Sequence, residues 1–404
     1  VTHWLSLIGI GEDGLDGLSA AALRALARAS LVVGGARHLE LAAPLSAPTL
    51  VWPSPIEDAI PRLLGRRGEP TCVLATGDPF FFGVGALLRR HFGAEEILCL
   101  PAPSAFSLAA ARLGWNLQDC VMLSLHGRAL EAIVPHLQPR AKILALSWDG
   151  ATPGRLARLL VERGLGLSTM TIREAMGGPR EQSRATTARE FALREIAALN
   201  TIALEVVVDR GALVIPRAPG LPDSAFAHDG QITKRETRAL TLSALAPRRG
   251  ELLWDIGAGS GSIGIEWMLC DPANRAIAIE ARPDRAARIS LNAANLGVPG
   301  LQVIEGRAPG ALRGLPAPEA IFVGGGATAP DILNVCREAL AVGGRLVVNA
   351  VTLETQGELT GAYKRWGGDL LQASFAHADP VGGFTGWRPA MPVVQWRWEK
   401  PWPV

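Results

Sequence analysis

Lysine is nearly missing from this chain: four of its forty basic residues are lysine and thirty-six are arginine. Tyrosine occurs once, and aromatic residues make up 5% of the 404 positions. Formal net charge is +2. These shortages speak against the broad basic surface and stacking aromatics that hold single-stranded nucleic acid, so no nucleic-acid partner is expected. The arginine excess reads in two ways. It reflects either GC-rich codon usage or guanidinium forks for bidentate carboxylate binding, a task lysine does poorly. Composition leaves both open.

Cysteine is scarce as well. The five residues, Cys72, Cys99, Cys120, Cys270 and Cys336, are scattered with no CxxC pair. An odd number at wide spacing argues against a disulfide framework or a structural zinc site; no metal is expected. No segment offers ~18 uninterrupted apolar residues, the length a membrane helix needs. The opening VTHWLSLIGIGEDG lacks the basic region and long apolar core of a signal peptide. The expectation is a cytoplasmic protein with no membrane partner. No His/Asp or Cys/His constellation stands out, and no catalytic residue is singled out.

What is present is alternation. With 48% hydrophobic and 19% charged residues, the chain has the make-up of an α/β protein long enough for two or three cores. In the first half, apolar strands such as HWLSLIGIG, LVVGG, VMLSLHG and AKILALSW alternate with helical spacing in LSAAALRALARAS, SAFSLAAARLG and PGRLARLLVERG. TCVLATGDPFFFGVGALLRRHF reads as strand, tight turn at Gly77-Asp78-Pro79, then helix. This predicts an α/β domain with a mostly parallel sheet over residues 1–210. Around 211–231 periodicity lapses into Pro, Gly and Asp. Residues 211–222 read as a linker, and 223–404 as a second domain opening with an extended arm.

In the second domain, Thr233 followed by Glu236 has the spacing of a capping box and predicts a helix start. Seven strand-like runs follow: ELLWDIG, RAIAIEA, LQVIEG, AIFVGG, GRLVVNAV, LLQASFAH and PVVQWRW. Helical segments separate the first six. The last two are joined without a helix and should form an antiparallel hairpin at the sheet edge. Five parallel strands, a sixth and an antiparallel seventh match the layout of a seven-stranded Rossmann-like methyltransferase.

The loop after the first of these strands, Asp255-Ile256-Gly257-Ala258-Gly259-Ser260-Gly261, lets backbone approach a ligand closely and aims helix N–H groups at it. A dinucleotide loop has its third glycine three positions after the second. Here Ser262 stands at that place and Gly261 comes one residue early. This spacing suits S-adenosylmethionine (SAM), which has no diphosphate to cradle. Glu280, at the end of the next strand, is positioned to accept hydrogen bonds from ribose hydroxyls. NAD domains use an acid in the same place, so the loop spacing and strand layout, not Glu280, favour SAM. Asp255 either orients the loop through backbone N–H groups or touches the ligand.

Beyond the loop, GLPDSAFAHDGQITKRETRAL resembles the opening of the cobalamin-pathway C15-methyltransferase and decarboxylase family. Gly220, Asp223, Phe226, Thr233, Lys234, Glu236 and Arg238 match its pattern, as do GRAP at 306–309 and VGGG at 323–326. The resemblance implies that Thr233 lies against SAM and that Gly306 and Ala308 border the adenine. The first half is similar to the tetrapyrrole methylase superfamily, in its corrin C5-methyltransferase branch, through ATGDPFFFG, PAPSAFSLAAARLGW and LVVGGARHL. This implies a tetrapyrrole-methylase fold with a second SAM site at Gly77, Asp78, Pro79 and Ser104. Two departures are Glu12, where that superfamily has proline in GxGPG, and Ala102, where it has glycine.

Together the resemblances cover nearly the whole chain. They imply a bifunctional SAM enzyme of corrin biosynthesis that methylates C5 and C15 of a tetrapyrrole substrate and decarboxylates its C12 acetate. Homo-oligomers are implied for both halves. Two other readings stay open: an RNA methyltransferase with an accessory domain, and a SAM-binding scaffold without turnover. Whether the substrate carries cobalt, the order of the methylations and the residues that act on the acetate are not fixed by the sequence.

Overall fold

The computed structural model describes residues 3–403. The chain divides into two compact units, the first ending at Leu213 and the second beginning at Val214, with Glu131–Pro135 counted in the second. Among the described residues, no helix is long and apolar enough to cross a membrane.

The first unit contains two five-stranded sheets. One is built from β1 (Leu5–Ile10), β2 (Leu31–Gly34), β3 (Thr49–Val51), β4 (Thr71–Thr76) and β5 (Ile97–Leu100), in the order β3-β2-β4-β1-β5. All its pairings are parallel. Its central strands β1, β2 and β4 are mostly apolar and buried because both faces are covered. Leu5 and Leu7 belong to the core on one side with Val33 and Val73, while Ile8 and Ile10 join Val32 and Leu74 on the other.

The other sheet comprises β6 (Cys120–Ser124), β7 (Lys142–Leu146), β8 (Thr169–Glu174), β9 (Gln182–Thr187) and β10 (Asn200–Glu205), in the order β6-β7-β10-β8-β9. Only β6 and β7 run parallel; the remaining pairs are antiparallel. The expectation of a mostly parallel sheet is thus corrected for half of this unit. Hairpin-connected strands such as β8 and β9 need no crossover helix, so their direction escapes an alternation count. The helix expected soon after Pro79 is a single turn, Gly85–Leu88.

The second unit holds a seven-stranded sheet of β11 (Leu252–Ile256), β12 (Arg275–Glu280), β13 (Gln302–Glu305), β14 (Ala320–Val323), β15 (Arg345–Ala350), β16 (Asp369–Ala373) and β19 (Val393–Glu399). Their order is β13-β12-β11-β14-β15-β19-β16. The first five are parallel, and β19 runs antiparallel to both β15 and β16. Alternate residues Trp254, Ile256, Ile277, Ile279, Ile321, Val323, Leu346, Val348 and Trp396 form one buried face. Asp255 sits on the other.

The last two strands of the sheet, β16 and β19, pair antiparallel at its edge as expected, with β19 lying between β15 and β16. One detail differs from the sequence reading. The connection from β16 to β19 carries its own ribbon of β17 (Ala376–Val381) and β18 (Phe384–Pro389). Its residues Val381, Phe384 and Trp387 are strongly exposed, so no buried alternation marked it.

Candidate active sites

In the second unit, the loop after β11 turns through three glycines in the left-handed region, with φ of 70°, 60° and 76° at Gly257, Gly259 and Gly261. A Cβ at Gly257 would lie 2.9 Å from both the backbone N and O of Gly325, and one at Gly261 2.7 Å from Ile289 Cγ2. The glycines therefore serve close packing as well as turning. The N–H groups of Gly257 and Ala258 donate back to the Ile279 carbonyl, at 2.9 and 3.2 Å.

Glu280 is nearly buried at the end of β12. Its Oε2 accepts the Gly259 N–H at 2.9 Å and its Oε1 the Arg282 N–H at 3.0 Å. One carboxylate thus ties the glycine loop to the strand end while each oxygen keeps a further lone pair. The carbonyl of the same residue accepts the Gly306 N–H at 2.9 Å, which brings the Gly306–Ala308 turn to the same edge.

Asp255 does orient a backbone group, one turn further on than expected. Its Oδ2 accepts the Gly264 N–H, inside helix Ser262–Cys270, at 2.9 Å. Burial, opposed by that N–H and reinforced by the Glu280 charge, pushes the Asp255 carboxyl up to about 7. Asp255 Oδ1 and Ser260 Oγ are buried polar atoms with no protein hydrogen bond.

Thr233 does not cap a helix. The N-cap is Lys234, helix Arg235–Leu245 begins after it, and no side chain closes the box. The Arg238 guanidinium takes the Thr233 carbonyl as a partner just before the helix begins. Fully buried Arg238 also donates to the Leu221 carbonyl, to Asp223 Oδ1 at 3.3 Å and to Glu266 Oε1 at 2.6 Å. Glu266 in turn accepts the N–H groups of Gly220 and Leu221, at 2.6 and 3.0 Å. The end of the segment read as linker is thereby pinned to the second unit.

Further along the arm, Asn292 exchanges two hydrogen bonds with the Ala227 backbone, at 2.8 and 2.9 Å, and donates to the Ser260 carbonyl at 2.9 Å. The Gln231 carbonyl comes within 3.4 Å of the place of a Cβ on Gly259. A polar scaffold of Arg238, Glu266 and Asn292 thus lays the arm beside the glycine loop. Glu266 and Asn292 carried no signal in the sequence, being single polar residues inside helical patterns.

In the first unit, a cleft is lined by Gly11, Glu12, Arg37, Thr76, Gly77 and Pro103 from the parallel-sheet side. Arg173, Met176, Asn200 and Thr201 line it from the mixed-sheet side. Gly77 adopts φ of 58° and its carbonyl accepts the Ala102 N–H at 3.0 Å. A Cβ on Gly77 would meet the Pro103 carbonyl and Ser104 Cα at 3.0 Å. Asp78 closes its own turn by accepting the Phe80 N–H at 2.8 Å, and Pro79 follows in the same turn.

Ser104 acts as an N-cap: its Oγ accepts the Ser107 N–H at 3.1 Å at the start of helix Ala105–Leu113. Glu12, the residue that stands in place of proline, is ion-paired to Arg37. Arg37 also donates to Thr76 Oγ1 at 2.8 Å.

The left-handed glycines, the close backbone approaches and the unpartnered buried oxygens make the second-unit edge a cradle that fits SAM.

Comparison with known proteins agrees with this architecture. Residues 5–192 match the Tetrapyrrole (Corrin/Porphyrin) Methylases family, and residues 224–400 match the Precorrin methyltransferase domain. A precorrin-6Y C(5,15)-methyltransferase [decarboxylating] of Sinorhizobium sp is 55% identical over 99% of this chain and 97% of that protein. The cobalt-precorrin-7 C(5)-methyltransferase of Salmonella typhimurium is 31% identical over 44% of this chain and 88% of its own length. A probable cobalt-precorrin-6B C(15)-methyltransferase (decarboxylating) of Saccharolobus solfataricus is 35% identical over 37% of this chain and 78% of its own. With both halves matched and the full-length relative aligned end to end, the chain belongs to the family of bifunctional, decarboxylating precorrin-6Y C5,15-methyltransferases.

Proposed function

We propose that each unit holds its own SAM, that the first unit methylates C5 of the corrin precursor, and that the second methylates C15 and removes the C12 acetate carboxyl. The observation that carries this is the Glu280 carboxylate joining the Gly259 N–H to the end of β12, beside a loop whose glycines bring backbone to the sheet edge. The two single-activity relatives, each matching less than half of this chain, support the division of labour.

When bound, SAM supplies an electrophilic methyl group on a sulfonium. The residues around it have a positioning task, because a displacement is accelerated chiefly by alignment of its reactants. In the second unit, Glu280 would accept the ribose hydroxyls. The backbone of Asp255, Gly257, Ala258, Gly259, Ser260 and Gly261 would enclose the amino-acid end, Gly306 and Ala308 the adenine, and Thr233 on the arm would cover it. In the first unit, backbone at Gly77, Asp78, Pro79 and Ser104 would face the cofactor.

No strong base is required, since an electron-rich macrocycle carbon is the nucleophile. For decarboxylation, the macrocycle itself is the electron sink, and the protein orients the breaking bond. A tight arginine clamp on that acetate would stabilise the ground state and oppose the loss, so the C12 acetate belongs in less cationic surroundings than the other carboxylates. The five free cysteines suit a cytoplasmic enzyme, and the exposed ribbon at Phe384 and Trp387 suits a homo-oligomer.

The test is mass spectrometry and ¹³C-methyl NMR of precorrin-6Y incubated with full-length protein and labelled SAM. Wild type is expected to add two methyl groups and lose one carbon dioxide. Gly77→Val should retain the C15 methyl and the decarboxylation while losing the C5 methyl, and Glu280→Ala should lose the C15 methyl and the decarboxylation. Loss of C15 methylation in Gly77→Val, or its survival in Glu280→Ala, with the protein folded, would overturn the assignment.

A further inference from the structure

We propose that Glu12 is a stand-in for a substrate carboxylate. It holds Arg37 at the mouth of the first unit's cleft until a side-chain carboxylate of the corrin precursor takes its place, which makes Arg37 a specificity-determining residue of the C5 step. The proposal rests on the reading that this unit carries C5 methylation.

Arg37 follows β2 directly, in helix Ala36–Leu41. Its guanidinium is fixed on three sides: by the Glu12 carboxylate, by Thr76 Oγ1 at 2.8 Å and by His38 Nε2 at 3.1 Å. Thr76 immediately precedes the Gly77 turn, so the fork lies at the lip of the cleft it helps to line. His38 Nε2 also lies 2.8 Å from Thr76 Oγ1. Burial and the Arg37 charge hold the His38 pKa down to about 4. The ring is therefore neutral at pH 7 and its Nε2 accepts, leaving Arg37 as the cation of the cluster.

Glu12 is the unusual member. Its side chain is 7% exposed, whereas that of Arg37 is 33% exposed and so reachable from solvent. The second oxygen of Glu12 lies 3.7 Å from Arg180, whose side chain is 82% exposed. Arg180 belongs to the connection from β8 to β9, on the other sheet. In the same connection, a Cβ on Gly178 would come 2.6 Å from Glu12 Cβ. The carboxylate thus sits where the two lobes of the first unit meet, holding one guanidinium from each.

A buried carboxylate is stable only when paired, and removing one partner of such a pair is costly. When a substrate carboxylate takes Arg37, the guanidinium keeps an anion, and Glu12 keeps a cation through its second oxygen, 3.7 Å from Arg180, so neither charge is left alone. A macrocycle carrying carboxylate side chains can make that exchange, whereas an uncharged one offers Arg37 nothing in place of Glu12.

The experiment compares steady-state constants for C5 and C15 methylation in the full-length protein, separated by ¹³C-methyl NMR. Arg37→Ala should raise the KM for the precursor in the C5 step by about tenfold, the loss of one charge-assisted pair, with a smaller change in kcat. Arg37→Lys should recover part of it. Glu12→Gln keeps the size but removes the competing charge, and should lower the same KM. The C15 constants of each variant serve as the internal control.

A shared rise in KM for Arg37→Ala and Glu12→Gln would mean a purely structural strut and overturn the proposal. So would an unchanged KM in Arg37→Ala. Melting curves identify a misfolded variant, in which case Arg37→Lys and Glu12→Gln carry the comparison. Survival of C5 methylation in Gly77→Val would instead sink the underlying assignment, without involving Arg37.

Discussion

Each unit holds a glycine turn at its proposed cofactor site, and the two turns are held by different balances of forces. In the first, strand β1 at Gly9 and the turn at Gly77 are packed so tightly that a Cβ on Gly9 would lie 1.8 Å from the Gly77 carbonyl oxygen. Close backbone packing dominates there, with local hydrogen bonds such as Ala102 N–H to the Gly77 carbonyl. In the second, the glycine loop is joined to an arm whose course depends on buried charge and amide contacts, through Arg238, Glu266 and Asn292. The first site is therefore vulnerable to added volume, and the second to lost partners some distance away. One protein thus shows that steric exclusion and a satisfied polar network are alternative ways to hold an irregular segment in place.

The largest expected effect breaks the first side of this comparison. Gly9→Ala forces backbone to shift, since the atom it meets is a carbonyl oxygen and not a flexible side chain. C5 methylation should be lost while C15 methylation persists, as read by product mass from the full-length protein.

Glu266→Gln addresses the second side. It leaves the Arg238 guanidinium buried beside a neutral amide, with Asp223 at 3.3 Å as the remaining carboxylate. Losing one member of a buried pair costs about 3–5 kcal/mol. Denaturant unfolding should show a destabilised second unit, with C15 methylation weakened more than C5. If replacing Arg238 as well, by Met, does not recover part of the loss, the network is not the source of the effect.

A finer test sharpens the contrast through pH. Burial raises the Asp255 pKa from 3.8 in the unfolded chain to about 7 in the folded protein, so the folded protein binds more protons than the unfolded chain between those values. Its contribution to stability therefore falls as pH rises through that window, by about 1.4 kcal/mol per pH unit. His38 in the first unit runs the other way. Its pKa drops from 6.5 to about 4 on folding, so its contribution rises with pH between those values. Asp255→Asn should gain stability relative to wild type as pH rises from 4 to 7, and His38→Gln should lose it between 4 and 6.5. Parallel trends for both variants would refute this opposition.

Much of the second site was legible because its elements are local. A strand end, a GxGxG turn and an acid at the next strand end carry their geometry in their own spacing, and Gly257, Gly259, Gly261 and Glu280 come together at one edge of the sheet. Thr233 shows where local reading stops: its spacing to Glu236 has the form of a capping box, yet the helix starts one residue later with Lys234 at the N-cap. In the first unit the parallel sheet followed from strand–helix alternation. The mixed sheet did not, because polar β9 lacks an apolar run and the partner of β10 is chosen across 54 and 26 residues, from β7 and β8, rather than from its sequence neighbour.

Sequence by itself determined most of the buried strands and helices and the two glycine turns, since each depends on backbone freedom and periodicity within a few residues, and its motifs pointed to the family. Only the tertiary structure decided that Glu266 and Asn292 position the arm, that Glu12 meets Arg37, and that β19 lies inside the sheet. Those outcomes turn on which distant groups must satisfy one another once water is excluded, and no local spacing records that choice.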